Sequence, residues 1–457
     1  MSRGAVGAFA LAVLTTGCNH LKDELLAPQQ PNVISPSDIT SATGAEGLYV
    51  GAVGRFAIAL DGSPTNSGSN QEAAWNSAGL FTDEFRNSDT FSQRVDADHR
   101  QLQDNDALIT ADYGGLQQGR GYARDAANAL IKYEPTAKAK IGEMFFDIGF
   151  LELTLGQEFC NGIPLGQTVA GVPQYTQPLT DQQVFQQAAA RMDTALSYVQ
   201  GATDAASVAV ANAATVAKAR ALVDQGQFAQ AAALVGSVPT NFQFNVNFSN
   251  TTVDNQWWVM GPSVKRYTLG DTTQATAPVL INFLGINDPR VPVDPTVKPG
   301  TPGQLSSVTF NWTTRLSGRD DPLPVVSGID ARLIEAEAQL QAGDYAGMVA
   351  TLNNLRSAPR TIGVFTVPAM SPITTIPADA ASAQQLLFRE KGFWQFGRGV
   401  RMDDLRRLVR QYGYPQDQAF PSGAYPGGGT YGSQTNFAVP DAEKTNPNFK
   451  GCIDRNA

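Results

Sequence analysis

Few residues in this chain have the types and spacing that catalysis needs. Histidine occurs only at positions 20 and 99, which argues against a histidine-based triad or a zinc site. Asp83 and Glu84 are a candidate carboxylate pair, but neighbours in an extended segment point to opposite faces, whereas glycosidases hold two carboxyl groups roughly 5–9.5 Å apart around one bond. No glycine-rich phosphate loop precedes a helix. The sequence therefore predicts a protein that is not an enzyme and that has no cofactor and no metal.

Cys18 is the residue whose chemistry is most informative. Arg3 supplies a positive start, residues 5–14 form an apolar run too short to span a bilayer, and small residues come directly before the cysteine. This order predicts a secretory signal over residues 1–17. A cysteine at the cleavage point resembles a bacterial lipoprotein signal, in which the thiol takes a diacylglycerol; an ordinary cleaved signal with a chance cysteine is the alternative.

The composition is that of an ordered, exported protein. Hydrophobic residues make up 42% and charged residues 16% of the chain. The net charge of −9, without runs of Lys or Arg, argues against nucleic acid as a partner and against electrostatic binding to anionic lipid. No later apolar stretch approaches the ~20 residues of a transmembrane helix. Membrane attachment is therefore expected through lipid on Cys18.

Two further cysteines remain, Cys160 and Cys452. An even number in an oxidising compartment favours one disulfide, which would tie the C-terminal tail to the first third of the chain. Two unpaired thiols are the alternative.

Apolar residues with helical spacing indicate the elements that position these groups. Two core-facing stripes are predicted, one of Ile141, Met144, Phe145, Ile148 and Leu155, the other of Phe185, Ala188, Met192, Ala195 and Val199. An internal repeat follows, with a helix, a glycine (Gly226, Gly343) and an aromatic residue (Phe228, Tyr345) that opens a second helix. The spacing is similar to the turn of a tetratricopeptide helical hairpin. Ser327 and Asp330 predict a capping box before the second hairpin.

The sequence divides into five predicted parts. They are the signal peptide 1–17, the lipidated cysteine and tether 18–45 with an N-cap at Ser37/Asp38, an N-terminal helical part 46–240, a loop-rich insertion 241–325, and a C-terminal part 326–457 with a hairpin, a signature segment and a wrapping tail. The predicted fold class is mainly α, with tetratricopeptide-like helical hairpins forming one large body, long ordered loops and a few short strands.

The segment 388–408 is dense in aromatic, arginine and acidic residues. Guanidinium groups paired with carboxylates hold helices together, so we interpret it as a structural ion-pair network. An anion-binding arginine cluster is the alternative. The predicted network consists of Arg389, Glu390, Arg401, Asp404 and Arg407.

This segment resembles the C-terminal signature of the SusD/RagB family of outer-membrane nutrient-uptake lipoproteins. The stretches 23–28, 333–338, 352–356 and 446–452 are similar to the same family, in the expected order. The resemblance implies a helical binding protein, anchored by lipid to the outer membrane and facing outwards. It also implies a TonB-dependent (SusC-like) receptor as partner, to which an oligosaccharide or peptide is delivered. A helical-repeat scaffold lipoprotein without a nutrient ligand is the alternative.

Aromatic platforms beside amides are the predicted ligand contacts, because sugar and peptide sites combine flat rings with hydrogen-bonding groups. The candidates are Trp75, Tyr113, Trp257, Trp258 and Trp312. For each, the alternative interpretation is a packed loop anchor.

Overall fold

The computed structural model describes residues 39–63, 72–169, 172–249, 251–272, 277–294, 310–316, 318–426 and 428–457. Cys18, the signal segment and the proposed cap at Ser37/Asp38 lie outside the described residues, so they remain predictions. The first described helix begins at another cap, where the Ser41 hydroxyl accepts a hydrogen bond from the Gly44 N–H at 3.2 Å.

The N-terminal part begins with six helices among the described residues. They are α1 (Ala42–Asp61), α2 (Ala74–Phe81), α3 (Ser92–Asp98), α4 (Ala107–Tyr133), α5 (Lys138–Glu158) and α6 (Asp181–Val199). Helix α4 packs against α1 and α5, and α6 packs against α5. The two predicted apolar stripes lie on α5 and α6, and all of their residues are buried except Phe145, which is half-buried. Burial of these stripes is what holds the helices side by side.

The first helical hairpin is formed by α7 (Ala205–Asp224) and α8 (Phe228–Val235). Gly226 lies between them with a φ of +75°, a conformation that glycine adopts without a Cβ penalty. By length and composition α7 could cross a membrane, but it packs against α5, α6, α8 and the second hairpin, as expected of a core helix.

The loop-rich regions contain short antiparallel strand pairs and single helical turns. The pairs are β1 (Phe85–Asn87) with β7 (Tyr267–Leu269), β2 (Ile163–Pro164) with β5 (Pro178–Leu179), β3 (Gln167–Val169) with β4 (Val172–Gln174), β6 (Gln243–Val246) with β8 (Leu323–Ser327), and β9 (Arg360–Ile362) with β10 (Phe365–Val367). The helical turns are α9 (Gln256–Trp258), which continues into a π-helical turn (Val259–Ser263), and α10 (Phe283–Ile286). The β1–β7 pair, with Phe85 opposite Leu269, joins the predicted insertion to the N-terminal part.

The second hairpin is formed by α11 (Gly328–Gln341) and α12 (Tyr345–Arg356). Gly343, with a φ of +74°, takes the same place as Gly226 in the first hairpin. The predicted capping box is present, because Ser327 and Asp330 exchange side-chain and backbone hydrogen bonds. Helix α8 packs on α11, so the two repeats stack directly.

Two helices carry the signature segment, α13 (Ala380–Trp394) and α14 (Val400–Arg410), and the short α15 (Gln416–Ala419) follows. A disulfide joins Cys160, after α5, to Cys452 in the tail across 292 residues. Residues 40–457 form one compact unit. The predicted mainly α fold with helical hairpins, long loops and few short strands is confirmed.

Candidate functional site

The signature segment bends between α13 and α14, at Gly397 and Gly399. Both glycines have a positive φ, +76° and +70°. A Cβ at Gly397 would lie 2.5 Å from the Trp257 ring, and one at Gly399 would lie 2.7 Å from Trp75. The bend therefore has no room for a side chain, and two loop tryptophans pack against it.

Buried ion pairs connect the two signature helices to distant parts of the chain. The Arg401 guanidinium donates Nε and Nη2 to the two Asp83 carboxylate oxygens, both at 2.7 Å. Arg407 pairs with Glu337 on α11 and with Asp404 at 2.7 Å. Such bidentate pairs fix orientation as well as distance.

The network extends further through Lys391 and Glu390. Lys391 Nζ lies 2.6 Å from Asp404 and 2.8 Å from Glu337. Glu390 accepts from Arg290 of the insertion at 2.7 Å and from Arg356 of α12 at 2.8 Å. Most of the acids that pair with these cations are remote in sequence. The acids of the predicted network, Glu390 and Asp404, lie within the segment itself.

Arg389 does not belong to the network. It is exposed on α13 and makes no ion pair among the residues that the structure describes. Its guanidinium lies 5.9 Å from the Phe393 ring. The reason is helical geometry: Ser382, Gln385 and Arg389 follow one another at i+3 and i+4 spacing and form the exposed face of α13.

Electrostatics favours the ionised form of Glu337 in this network. Burial opposes the charge on Glu337, but the adjacent Arg407 and Lys391 hold the pKa of its carboxyl well below the usual range. Glu84 is different, since its Oε1 accepts only the Gly397 N–H, at 2.9 Å, among the described residues. Burial raises the pKa of Glu84 to about 8.

A polar cavity of about 20 Å³ lies between α7, α11, α13 and α14. Asp224, Asp330, Glu337, Arg220 and Arg407 are among its lining residues. A cavity of this size holds about one water molecule, which is far below the ~300–1,000 Å³ of a ligand pocket. The signature region is therefore a structural network rather than a nutrient site.

Three of the predicted ligand contacts are part of the core. Trp75, Trp257 and Trp312 are 2%, 1% and 1% exposed. Trp257 and Trp312 surround Phe85 with ring centroids 5.8 and 5.4 Å away. Rings buried on all sides offer no platform to a sugar, so the alternative interpretation as packed anchors describes them, although Trp75 and Trp257 lie in the helices α2 and α9 and not in loops.

Of the other two candidates, Tyr113 is buried, whereas Trp258 is partly accessible and stays a prediction. Tyr113 is 5% exposed, packs on Phe159, and its hydroxyl lies 3.2 Å from Glu443. Trp258 is half-buried and packs its ring against the main core. Trp258 alone keeps an accessible edge among these five.

A different aromatic group lies at the surface, and we name it the tyrosine rim: His99, Tyr425 and Tyr431 around Arg86 and Asp98. Tyr425 packs edge to face against His99, and its ring centroid lies 5.2 Å from that of Tyr431. His99 and Tyr431 are half-buried, whereas Tyr425 lies behind them, 4% exposed. The rim thus presents two aromatic edges to solvent.

The polar part of the rim lies directly below these rings. Tyr425 donates its hydroxyl to Asp98 Oδ2 at 2.6 Å, and the Arg86 guanidinium lies 4.5 Å from the centre of the Tyr425 ring. Arg86 Nε donates to the same Asp98 oxygen at 3.3 Å. Within the described residues, Asp98 Oδ1 and His99 Nε2 have no hydrogen-bond partner.

Backbone geometry holds the rim in place. The tail forms a narrow turn in which Ala424 pairs with Thr430, and the Gly432 N–H donates to the His99 carbonyl at 2.7 Å. Arg100, next to His99, has a φ of +57°, which is uncommon for a residue with a side chain. Its Nε donates to the Gln434 carbonyl at 2.7 Å, so this strained residue ties the end of α3 to the tail.

The sequence analysis did not identify the rim. Its members come from β1, from the end of α3 and from the tail, and the tail is more than 300 residues away from the other two. The run of Tyr, Gly and Pro at 423–432 was a signal of an ordered turn with aromatic residues, but it indicated no partner for them.

No family model matches the sequence, and no curated protein matches it by sequence. Solved structures do share its fold. Surface glycan-binding protein A from Bacteroides uniformis is 11% identical, with a TM-score of 0.65, over 90% of this chain and 99% of that one. A SusD superfamily protein from Bacteroides fragilis is 14% identical, with a TM-score of 0.63 and the same two shares. NanU from B. fragilis is 10% identical, with a TM-score of 0.62, over 93% and 100%.

These similarities define the class of fold. Nearly the whole of each chain is matched, so the protein has the SusD superfamily fold. The resemblance that the signature segment predicted is thereby confirmed at the level of the fold.

Proposed function

We propose that the protein is a glycan-binding lipoprotein of nutrient uptake, which captures an oligosaccharide at the cell surface and delivers it to a TonB-dependent outer-membrane receptor. The observation that carries the proposal is the match over almost the full length to proteins described as glycan- or carbohydrate-binding. The rim is in keeping with it, since the half-buried His99 and Tyr431 rings lie beside the exposed Gln101, and aromatic rings with amides are groups that sugar sites use.

The proposal is for binding rather than catalysis. The Asp83 and Glu84 carboxylates, the nearest candidates for acid–base chemistry, are both buried and point to different partners, Arg401 and the Gly397 N–H. Neither carboxylate borders open space where a substrate bond would lie.

Lipidation of Cys18 is the second part of the proposal. Two or three acyl chains at about 0.8 kcal/mol per buried CH₂ hold a soluble body at a membrane. The sequence order before Cys18 supports it. The test is metabolic labelling with an alkyne fatty acid of cells that produce the full chain or its Cys18→Ala variant. We expect label and outer-membrane fractionation only for the former.

Ligand and partner are tested together. The protein is purified from detergent-solubilised outer membrane, co-purifying proteins are identified, and binding to glycan and peptide arrays is measured. A β-barrel receptor in the eluate and binding on the glycan array are expected. Recovery without a barrel, and with no binding on either array, would instead favour the scaffold function.

A further inference from the structure

Two acidic side chains face each other where the first hairpin packs against the signature segment. Asp224 is the last residue of α7 and Asp403 lies on α14; both are buried. The Gln157 side-chain Nε2 donates to Asp224 Oδ2 at 2.7 Å and to Asp403 Oδ2 at 3.3 Å. One amide nitrogen therefore bridges the two acids, which we name the carboxyl pair.

The nearest cation is shared among four carboxyl groups. Arg407 Nε lies 3.2 Å from Asp403 Oδ2 and 3.5 Å from Asp224 Oδ1. The same guanidinium pairs with Glu337 and Asp404. A single positive charge cannot neutralise all of these groups, so the charge balance at the carboxyl pair depends on its other neighbours.

Two of those neighbours serve the remaining acids around the cavity. Lys391 Nζ bridges Glu337 and Asp404 at 2.8 and 2.6 Å. The Arg398 guanidinium donates to the two Asp330 carboxylate oxygens at 2.6 and 3.1 Å. These cations thus balance three other carboxylates and not the carboxyl pair.

Three further arginines face the pair, and none of them makes an ion pair with Asp224 among the residues that the structure describes. Arg410 is partly exposed, and its Nη2 lies 3.5 Å from Asp403 Oδ1. Arg220 Nη2 donates to a glutamine side-chain oxygen at 2.8 Å, and Arg406 Nη1 donates to backbone carbonyls. Asp403 therefore has cations of its own, whereas Asp224 has only a share in one.

The position of Asp224 also disfavours its charge. It ends α7, and the C-terminus of a helix carries a partial negative charge that repels an anion. Burial raises the pKa of Asp224 well above its ordinary value, and the neighbouring Asp403 carboxylate raises it further. A neutral Asp224 carboxyl would donate its proton to Asp403, so that repulsion becomes a hydrogen bond.

The surroundings of the pair lack donors on one side. Asp224 Oδ1, Asp403 Oδ1 and Gln395 Oε1 are buried and have no hydrogen-bond partner within the described part of the chain. All three residues line the polar cavity of about 20 Å³, which has room for about one water molecule. A bound proton supplies a donor exactly where acceptors meet.

We propose that Asp224 and Asp403 bind one proton between them, that this proton holds the first hairpin on α14, and that the hairpin loosens as pH rises. The joint includes Gln411 of the segment after α14, whose Nε2 donates to the Val223 and Asp224 carbonyls at 2.9 and 3.1 Å. Ionisation of the pair places two like charges inside this joint. The inference does not depend on glycan binding.

The first experiment is urea unfolding of the full chain and its Asp224→Asn variant at several pH values. Asparagine keeps a donor to Asp403 and carries no charge. A pKa that is raised in the folded state gives stability that is complete below the ordinary value and is lost as pH rises through the raised one. We expect similar unfolding constants at about pH 5 and, by about pH 9, a constant at least tenfold larger for the parent than for the variant.

Asp330→Asn is the matched control, because Asp330 lines the same cavity but is ionised against Arg398. It should lower stability at both pH values, since it leaves a buried guanidinium without its partner. Glu84 titrates in the parent and in every variant alike, so its contribution cancels in each comparison.

The second experiment detects the proton itself. Infrared difference spectra at pH 7 between the parent and each variant report the C=O stretch of a protonated carboxyl group. Asp224→Asn and Asp403→Asn should each remove one such band, because a single remaining carboxylate can pair with Arg407. Asp330→Asn should remove none. Hydrogen exchange of α8 should be slower in Asp224→Asn than in the parent at about pH 9 and equal at about pH 5.

The outcomes are decisive for the joint. An Asp224→Asn chain that does not fold, or that is less stable than the parent at both pH values, would show that Asp224 is an ionised partner of Arg407 and overturns the proposal. Carboxyl bands that persist in both Asn variants overturn it as well. Exchange in α8 that is indifferent to Asp224→Asn overturns the loosening of the hairpin. The proposed glycan-binding function stands or falls separately.

Discussion

At the scale of single residues, the buried carboxylates divide into two kinds. Asp83 and Glu84 are adjacent, yet Asp83 meets the Arg401 guanidinium, whereas Glu84 meets a single backbone N–H within the described part of the chain. The first is a matched charge pair, and the second is a carboxyl group that burial favours in its neutral form. The two neighbouring residues thus predict different responses to substitution.

Asp83→Asn should destabilise the fold strongly, because it leaves the Arg401 cation buried without its partner. Loss of one member of a buried pair costs about 3–5 kcal/mol. Asp193→Asn is the control, since the Asp193–Lys218 pair is largely exposed and such pairs contribute about 0–1 kcal/mol. Urea unfolding measures the stability of both variants. Equal losses of stability would show that the buried Arg401–Asp83 pair contributes no more than an exposed pair.

Glu84 should make the protein less stable as pH rises. Its pKa is about 8 in the folded chain against an ordinary value of 4.5, so the folded state binds more protons between these values. The contribution of the Glu84 carboxyl to stability is therefore complete below about pH 4.5 and is lost as pH rises through 8. Glu84→Gln, which stays neutral, should unfold at higher urea than the parent at pH 8 and similarly at pH 5. A higher urea midpoint for the parent than for Glu84→Gln at pH 8 would contradict the raised pKa of Glu84.

At the scale of elements, the sequence predicted the helical hairpins because their signals are local. Gly226 and Gly343 follow their helices directly, and an aromatic residue opens the next helix in both cases. The tryptophans were misjudged because the space that holds them is not local. Trp75 and Trp257 fill room left by glycines over a hundred residues away, and nothing in the residues next to each tryptophan reveals that room.

The tyrosine rim was missed for the same physical reason. It forms only where the tail returns to the end of α3, and the hydrogen bond from Arg100 to Gln434 holds the two segments together there. A sequence pattern shows that residues 423–432 turn, but it does not show which element they turn towards.

Gly397→Ala should be far more disruptive than another glycine substitution at the same backbone angle. The added methyl would meet the Trp257 ring at 2.5 Å, and overpacking of this kind costs roughly 1–3 kcal/mol. Gly413→Ala is the matched control: its φ is +72°, but nothing lies within 4 Å of the added atom. The difference in urea midpoint between the variants isolates the Trp257 contact, and identical midpoints would rule out tight packing at the bend.

At the scale of the whole molecule, the tail closes the structure against its first third. The Cys160 N–H donates to the Phe437 carbonyl at 2.8 Å, the Ile453 N–H donates to the Asn161 carbonyl at 2.7 Å, and the disulfide lies between these contacts. The same tail carries two of the three aromatic members of the rim. Stability and the candidate site are therefore linked through one segment.

Removal of the disulfide by Cys160→Ser with Cys452→Ser should reduce stability by about 3–5 kcal/mol, because the bond closes a very long loop in the unfolded chain. Urea unfolding with and without dithiothreitol measures the effect. The reductant should lower the midpoint of the parent and leave the double variant unchanged. A parent indifferent to reductant would show that non-covalent contacts already fix the tail.

The Arg401–Asp83 pair also has a consequence for biosynthesis. Its two residues are 318 positions apart, so a chain that leaves a ribosome or a translocation pore exposes Asp83 long before Arg401 exists. The N-terminal helices cannot bury their carboxylates in final form until nearly the whole polypeptide has emerged. Fragments that end before α14 should accordingly leave Asp83 without its partner and be cut by proteases faster than the full chain.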